Sequence, residues 1–170
     1  MPAHWSRRSP GPVNWQEHTP HPQPSQTGAN RQIRSILRSI NTMDSLETFL
    51  KFVEAINRHD VAAIKALMTD DHIFVDSLGH RVQGASSMEQ GWKGYFVMCP
   101  DYWIRADDAA ARQGIVLAAG DAGGTIDDQL WRTPAAWKAI IRDNKVAEWH
   151  VFADNKPVYS ILARRQNATP

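Results

Sequence analysis

The sequence predicts an α+β fold, with three helices packed on one face of a curved, mainly antiparallel sheet. Three observations lead there. Apolar residues recur at helical spacing from Leu46 to Met68. The β-branched and aromatic run His72-Ile73-Phe74-Val75 then reads as a strand. After Pro100 the helical period gives way to strands separated by turn residues.

The first 43 residues stand apart. Residues 1–30 hold six of the ten prolines and lack apolar periodicity, which predicts a disordered tail. Through residue 41 there are five arginines against Glu17, or 5 − 1 = +4; the remainder then carries 1 − 4 = −3. Within this tail, Ile33, Ile36, Leu37 and Ile40 line up opposite Arg31, Arg34 and Arg38. That pattern suits a short helix over 31–40 for a membrane surface or a partner; at ten residues it is marginal alone, and docking on the domain, or disorder, is the preferred reading.

The domain is expected over 44–163. Asp44 and Glu47 read as a capping box. The first helix then runs to Arg58 with Leu46, Phe49, Leu50, Val53 and Ile56 on its stripe. Asp60 caps a second helix bearing Val61, Ile64, Leu67 and Met68, which ends at Asp70 and Asp71. The strand His72–Asp76 follows, then a turn through Ser77-Leu78-Gly79-His80. A third helix after Gly84 carries Met88, Gly91, Trp92, Tyr95 and Phe96 on one face. The expected strands are Tyr102–Ala109, Ile115–Ala119, an interrupted Thr125–Ile141 and Lys145–Ala153. Arg142-Asp143-Asn144 turns the last hairpin. Gly120, Gly123 and Gly124 mark a bulge or bend rather than a nucleotide loop. Beyond Pro157, Val158, Tyr159, Ile161 and Leu162 are available to fold back.

Composition narrows the function. A net charge of +1 makes no case for nucleic acid. The single Cys99 permits neither an intramolecular disulfide nor a CxxC site. No apolar run approaches the roughly 18 residues of a membrane span, so no membrane association and a cytoplasmic location are expected. His72 and His80 flank Asp76 at four residues on either side, but on a strand and turn that spacing does not converge on a metal. No metal and no cofactor are expected.

The stretch FVEAINRHDVAAIKALMTDDHIFVDSLGHRVQG, the GWKGYF helix and the hairpin AAWKAIIRDNKVAEWHVFAD resemble the nuclear transport factor 2-like superfamily. The resemblance spans about residues 44–160. It is nearest to the branch of SnoaL-like polyketide cyclases and ketosteroid isomerases. It implies a cone-shaped half-barrel around an apolar pocket, and a homodimer through the sheet. The implied chemistry is a cofactor-free isomerase, cyclase or dehydratase acting on a small apolar or ring-bearing molecule; the alternative is a non-catalytic binding or assembly domain.

Residue by residue, the resemblance places Asp76 where the isomerases keep a general base, with a pKa expected to be raised by the pocket; the alternative is a turn aspartate capping the Leu78 or Gly79 amide. Phe52 stands where they keep an oxyanion-hole tyrosine. Their late-strand acid falls on Ala136 or, in the preferred register, Trp137. With both donors missing, a true ketosteroid isomerase is rejected: each lost donor lowers rate by about 10²–10³. His150 and Asp154 are further catalytic candidates; His150 also reads as an outward residue and Asp154 as a cap. Phe52, Phe74, Trp92, Tyr95, Phe96, Trp137 and Trp149 are the expected substrate-binding wall.

Overall fold

The computed structural model describes residues 28–167. The proline-rich segment expected to be a disordered tail lies almost wholly outside them. Helices α1 (Gly28–Asn57) and α2 (Val61–Ala66) lead into strands β1 (Met68–Val75) and β2 (Arg81–Gln83). Helix α3 (Ala85–Met98) precedes four long strands, β3 (Trp103–Arg112), β4 (Ile115–Ile126), β5 (Gln129–Arg142) and β6 (Lys145–Ala153), and helix α4 (Lys156–Asn167). The six strands form one curved, open sheet in the order β2-β1-β6-β5-β4-β3. Every pairing is antiparallel except β1 with β6. The α+β architecture is therefore the one the period change predicts.

Several boundaries differ from expectation; β4 in particular runs on through Gly120, Gly123 and Gly124 to Ile126, where a strand ending at Ala119 is expected. Asp44 and Glu47 do not cap a helix; they lie inside α1, which runs unbroken from Gly28. Nothing between residues 30 and 44 breaks a helix, and Ser45 and Thr48 donate their hydroxyl protons to the carbonyls of Asn41 and Asp44, four residues back. Ile33, Ile36 and Leu37 remain exposed with Arg31, Arg34 and Arg38 on this extension. Met68 is no longer helical. It opens β1, buried, because α2 ends at Ala66.

The core lies between the helices and the inner face of the sheet. Phe49, Phe52, Val53 and Ile56 of α1 pack there, whereas Leu50 turns outward. On β5, Trp131, Thr133, Ala135, Trp137 and Ala139 are buried in alternation, the inward register preferred for Trp137. Lys138, on the other face, pairs with Glu148 of β6 at 2.6 Å. Asp143 and Asn144 have φ of 53° and 56°, as a tight hairpin turn between β5 and β6 demands. A second such turn, Asp127-Asp128, joins β4 to β5 and divides the stretch read as one interrupted strand. The C-terminal residues do fold back: Val158 and Ile161 of α4 enter the core.

His72 is a buried polar residue, 1% exposed, that bridges two strands. Its Nδ1 donates to the Val146 carbonyl at 2.7 Å, tying β1 to β6. Burial pushes its pKa below the usual 6.5, despite that bond and the nearby Asp71 and Glu148. Unfolded chains take up a proton here below about pH 6.5, whereas the folded protein resists it. Stability from this site is thus complete above that pH and is lost as pH falls from there toward the folded value. Urea unfolding between pH 8 and 5.5 should show stability falling by up to about 1.4 kcal/mol per pH unit in that window. His72→Gln should flatten this slope; an unchanged slope would assign it to other groups.

Candidate functional site

One cavity of about 380 Å³ opens between α3 and the inner face of the sheet. Strand alternation builds its floor. Phe74 of β1 pairs with Trp149 of β6, and Val151 and Ala153 continue the same face. Met88, Gly91, Trp92 and Tyr95 face it from α3, one or two helical turns apart. Tyr102, Ile104, Ala122, Trp131 and Ala135 form the opposite flank. The wall is mainly apolar, as in pockets for small organic molecules.

Asp76 is the one charged residue in that lining among the described residues. It follows the end of β1, two residues beyond Phe74, and lines the cavity from the turn. Its Oδ1 accepts hydrogen bonds from the amides of Leu78 (2.8 Å) and His80 (2.9 Å), and its Oδ2 meets His80 Nδ1 at 2.9 Å. The turn expected there is closed by Asp76 and Gly79 backbone bonds. Burial works against the charged form, but the His80 ring and the two amides outweigh it. The carboxyl is held below the usual range. The expected rise in its pKa is therefore corrected: the turn, not the apolar wall, dominates. Asp76 is both a turn cap and part of the cavity wall.

The other catalytic candidates are elsewhere. His150 sits on the outer face of β6, its ring stacked on Phe152 at 4.1 Å, because Trp149 and Val151 take the inner positions. Asp154 borders an adjoining, more open groove, outside the cavity lining, and accepts a bond from the Lys156 amide at the start of α4. Neither approaches Asp76 through the cavity. Of the seven predicted wall residues, Phe74, Trp92, Tyr95 and Trp149 line it. Phe52 and Trp137 lie deeper, packed against Trp149 with centroids 5.0 Å and 6.5 Å away. Phe96 lies behind Trp92, sandwiched with His59.

Further lining residues stand outside the predicted wall, among them Tyr102, Trp131 (which the sequence offers only as one of its aromatic set) and the mouth residues Ser77 and Asn155, joined by a bond of 2.8 Å. Tyr102 stacks on Trp131 at 6.1 Å and meets Tyr95 edge-on at 4.8 Å. The indole N–H groups of Trp92 and Trp131 are buried without a hydrogen-bond partner. The latter leans toward the Cys99 thiol, whose pKa burial pushes up, but completes no bond with it. No group of three metal-ligating side chains occurs among the described residues, and no helix there is long and apolar enough to cross a membrane.

Among curated proteins none matches the chain. Solved structures do, at identities that speak for the fold alone. A protein assigned as a SnoaL-like polyketide cyclase from Jannaschia sp. CCS1 has a TM-score of 0.65 at 16% identity, covering 76% of this chain and 95% of that one. A polyketide cyclase assignment from Xanthomonas campestris pv. campestris has the same TM-score and identity, covering 72% and 98%. An LEH-like epoxide hydrolase from M. tuberculosis follows at 0.63 and 15%, covering 72% and 89%. The SnoaL-like domain family matches residues 49–158, from the first buried phenylalanine of α1 to the first buried residue of α4. The chain belongs to that family.

Proposed function

We propose that this protein binds a small, apolar, ring-bearing carbonyl compound in the cavity and moves a proton on it, with Asp76 as the base. The reaction type is that of an isomerase, cyclase or dehydratase. The observation that carries the reading is a lone carboxylate in an otherwise uncharged, largely apolar wall. Its low pKa keeps it ionised at neutral pH, and a carboxylate holding three hydrogen bonds retains acceptor capacity for a fourth. The exposed His80 ring on Oδ2 offers a route by which the proton reaches water.

The test needs no knowledge of the natural substrate. In D2O, the protein should accelerate deuterium exchange at the acidic carbon of a bicyclic ketone such as 2-tetralone, followed by NMR. Asp76→Asn should abolish the acceleration, since a positioned base contributes about 10²–10⁴ in rate, while 2-tetralone still quenches tryptophan fluorescence. Equal exchange by the variant and the wild type would sink the role of Asp76. A second reading, ligand binding without turnover, is favoured by the turn bonds that already occupy this carboxylate. It predicts quenching with no accelerated exchange in either protein.

A further inference from the structure

We propose that Tyr95 and Tyr102 form a two-phenol hydrogen-bond donor site in the cavity, and that it takes the neutral carbonyl oxygen of the ligand. The inference rests on the reading that the cavity binds a ring-bearing carbonyl compound. Both tyrosines line the cavity, one from α3 and one from the segment entering β3. Their rings meet edge-on, with centroids 4.8 Å apart. Neither hydroxyl has a hydrogen-bond partner among the described residues, and both side chains are half-buried at the cavity. Half-buried phenols usually find a partner. A ligand acceptor would supply what the protein does not.

The two rings are held before any ligand arrives. Tyr102 stacks on Trp131 at 6.1 Å, its amide donates to the Cys99 carbonyl at 3.2 Å, and its own carbonyl lies 2.7 Å from His59 Nε2. Tyr95 is fixed on α3 with Trp92 edge-on at 6.3 Å. Burial raises the pKa of both hydroxyls above the usual 10, so each stays protonated and able to donate. No lysine or arginine lines the cavity, and Asp76 brings a negative charge. The site therefore favours a neutral carbonyl over a carboxylate or phosphate, which would arrive unpaired.

Sheet order sharpens the geometry. Asp76 follows β1, near one edge of the sheet, while Tyr102 precedes β3, the opposite edge. Base and donors thus approach the ligand from opposite flanks. The ligand must span them, its acceptor oxygen against the tyrosines and its acidic carbon toward Asp76. The donors come from α3 and the segment entering β3, not from α1, where Phe52 holds the position at which the family resemblance expects a tyrosine.

The experiment compares 2-tetralone with tetralin, its analogue lacking oxygen, on the full chain by tryptophan quenching. Tyr95→Phe and Tyr102→Phe keep both rings and remove only the hydroxyls. Each should weaken 2-tetralone by about three- to tenfold and leave tetralin within twofold. The carbonyl stretch of bound 2-tetralone should lie below its position in hexane and return toward it in the double variant. The proposal is overturned if the double variant binds 2-tetralone as tightly as the wild type, or if both probes weaken equally. Tetralin binding with no tyrosine-dependent preference for the ketone would overturn this site and leave the pocket reading standing; failure of both probes to bind the wild type would overturn both.

Discussion

Trp149→Ala should destabilise the protein by about 3–5 kcal/mol, the range for removing a large buried aromatic side chain. Trp149 is 2% exposed and sits near the middle of β6, flanked by β1 and β5. Phe49 stacks on it at 5.4 Å, Phe52 packs at 5.0 Å and Trp137 at 6.5 Å. Removing it strips the shared partner from helix and sheet at once. The neighbouring side chains are bulky and held by the backbone of two elements, so collapse into the gap is limited and the cavity term stays large. Urea unfolding should give a midpoint shift matching that loss, and a loss under about 1 kcal/mol would contradict the packing described.

The comparison with Trp137→Ala makes the prediction specific. Trp137 is as deeply buried, at 1%, but does not line the cavity. Its removal should weaken folding to a similar extent while the folded fraction binds 2-tetralone normally. Trp149 forms part of both core and cavity wall, so its removal should also weaken ligand binding. A variant that lost stability without losing binding at Trp149 would separate the wall from the core at that residue.

The same residue shows what a sequence discloses and what it withholds. The alternation Trp149-Val151-Ala153 fixes which side chains share a face, because the strand period is two whatever the neighbours are. That alternation also turns His150 outward. It does not say how deep each inward residue lies. Phe52, Phe96 and Trp137 were placed on the right faces and still miss the cavity, since depth depends on which element covers them. Tyr102 and Trp131 fall outside the predicted wall for a related reason. They come together only through the β3–β4–β5 register, which depends on the Asp127-Asp128 turn. Two aspartates at positive φ are tolerated there, but lack the Asn-Gly or Asp-Gly signature that announces such turns. Pro134 further obscured the strand. It lies one residue past the last β5–β6 pair, Ala135 with Ala153, where its missing amide proton takes no bond from that neighbour. Asp76 was visible from sequence as a carboxylate ending an apolar run. Its low pKa was not, because that depends on the fold of the turn around it.

Gly120→Ala should be among the most damaging substitutions outside the aromatic core, with a loss of about 3 kcal/mol or more and β3 detached from β4. Gly120 pairs with Ala106, and the register shifts between Ala106 and Asp108, leaving Asp107 as the extra residue of a bulge. The bulge drives the β3 backbone onto Gly120. A Cβ there would lie 1.8 Å from the Arg105 carbonyl oxygen and 2.9 Å from its carbon. These are backbone atoms and cannot swing aside as a flexible side chain would. The strand pair must separate, and the ion pairs that Arg105 and Arg132 make with Asp121 lie next to the break. The sequence reading of these glycines as a bulge is thereby sharpened: Gly120 is the residue facing it, inside a continuous β4. Gly94→Ala is the matched control. Gly94 lies within α3 with nothing inside 4 Å of an added Cβ, so alanine should stabilise by about 0.5–1 kcal/mol through its better helix propensity. Opposite signs for the two substitutions in thermal unfolding are the expected result. A neutral Gly120→Ala would mean that β3 and β4 lie farther apart at this bulge than the pairing requires.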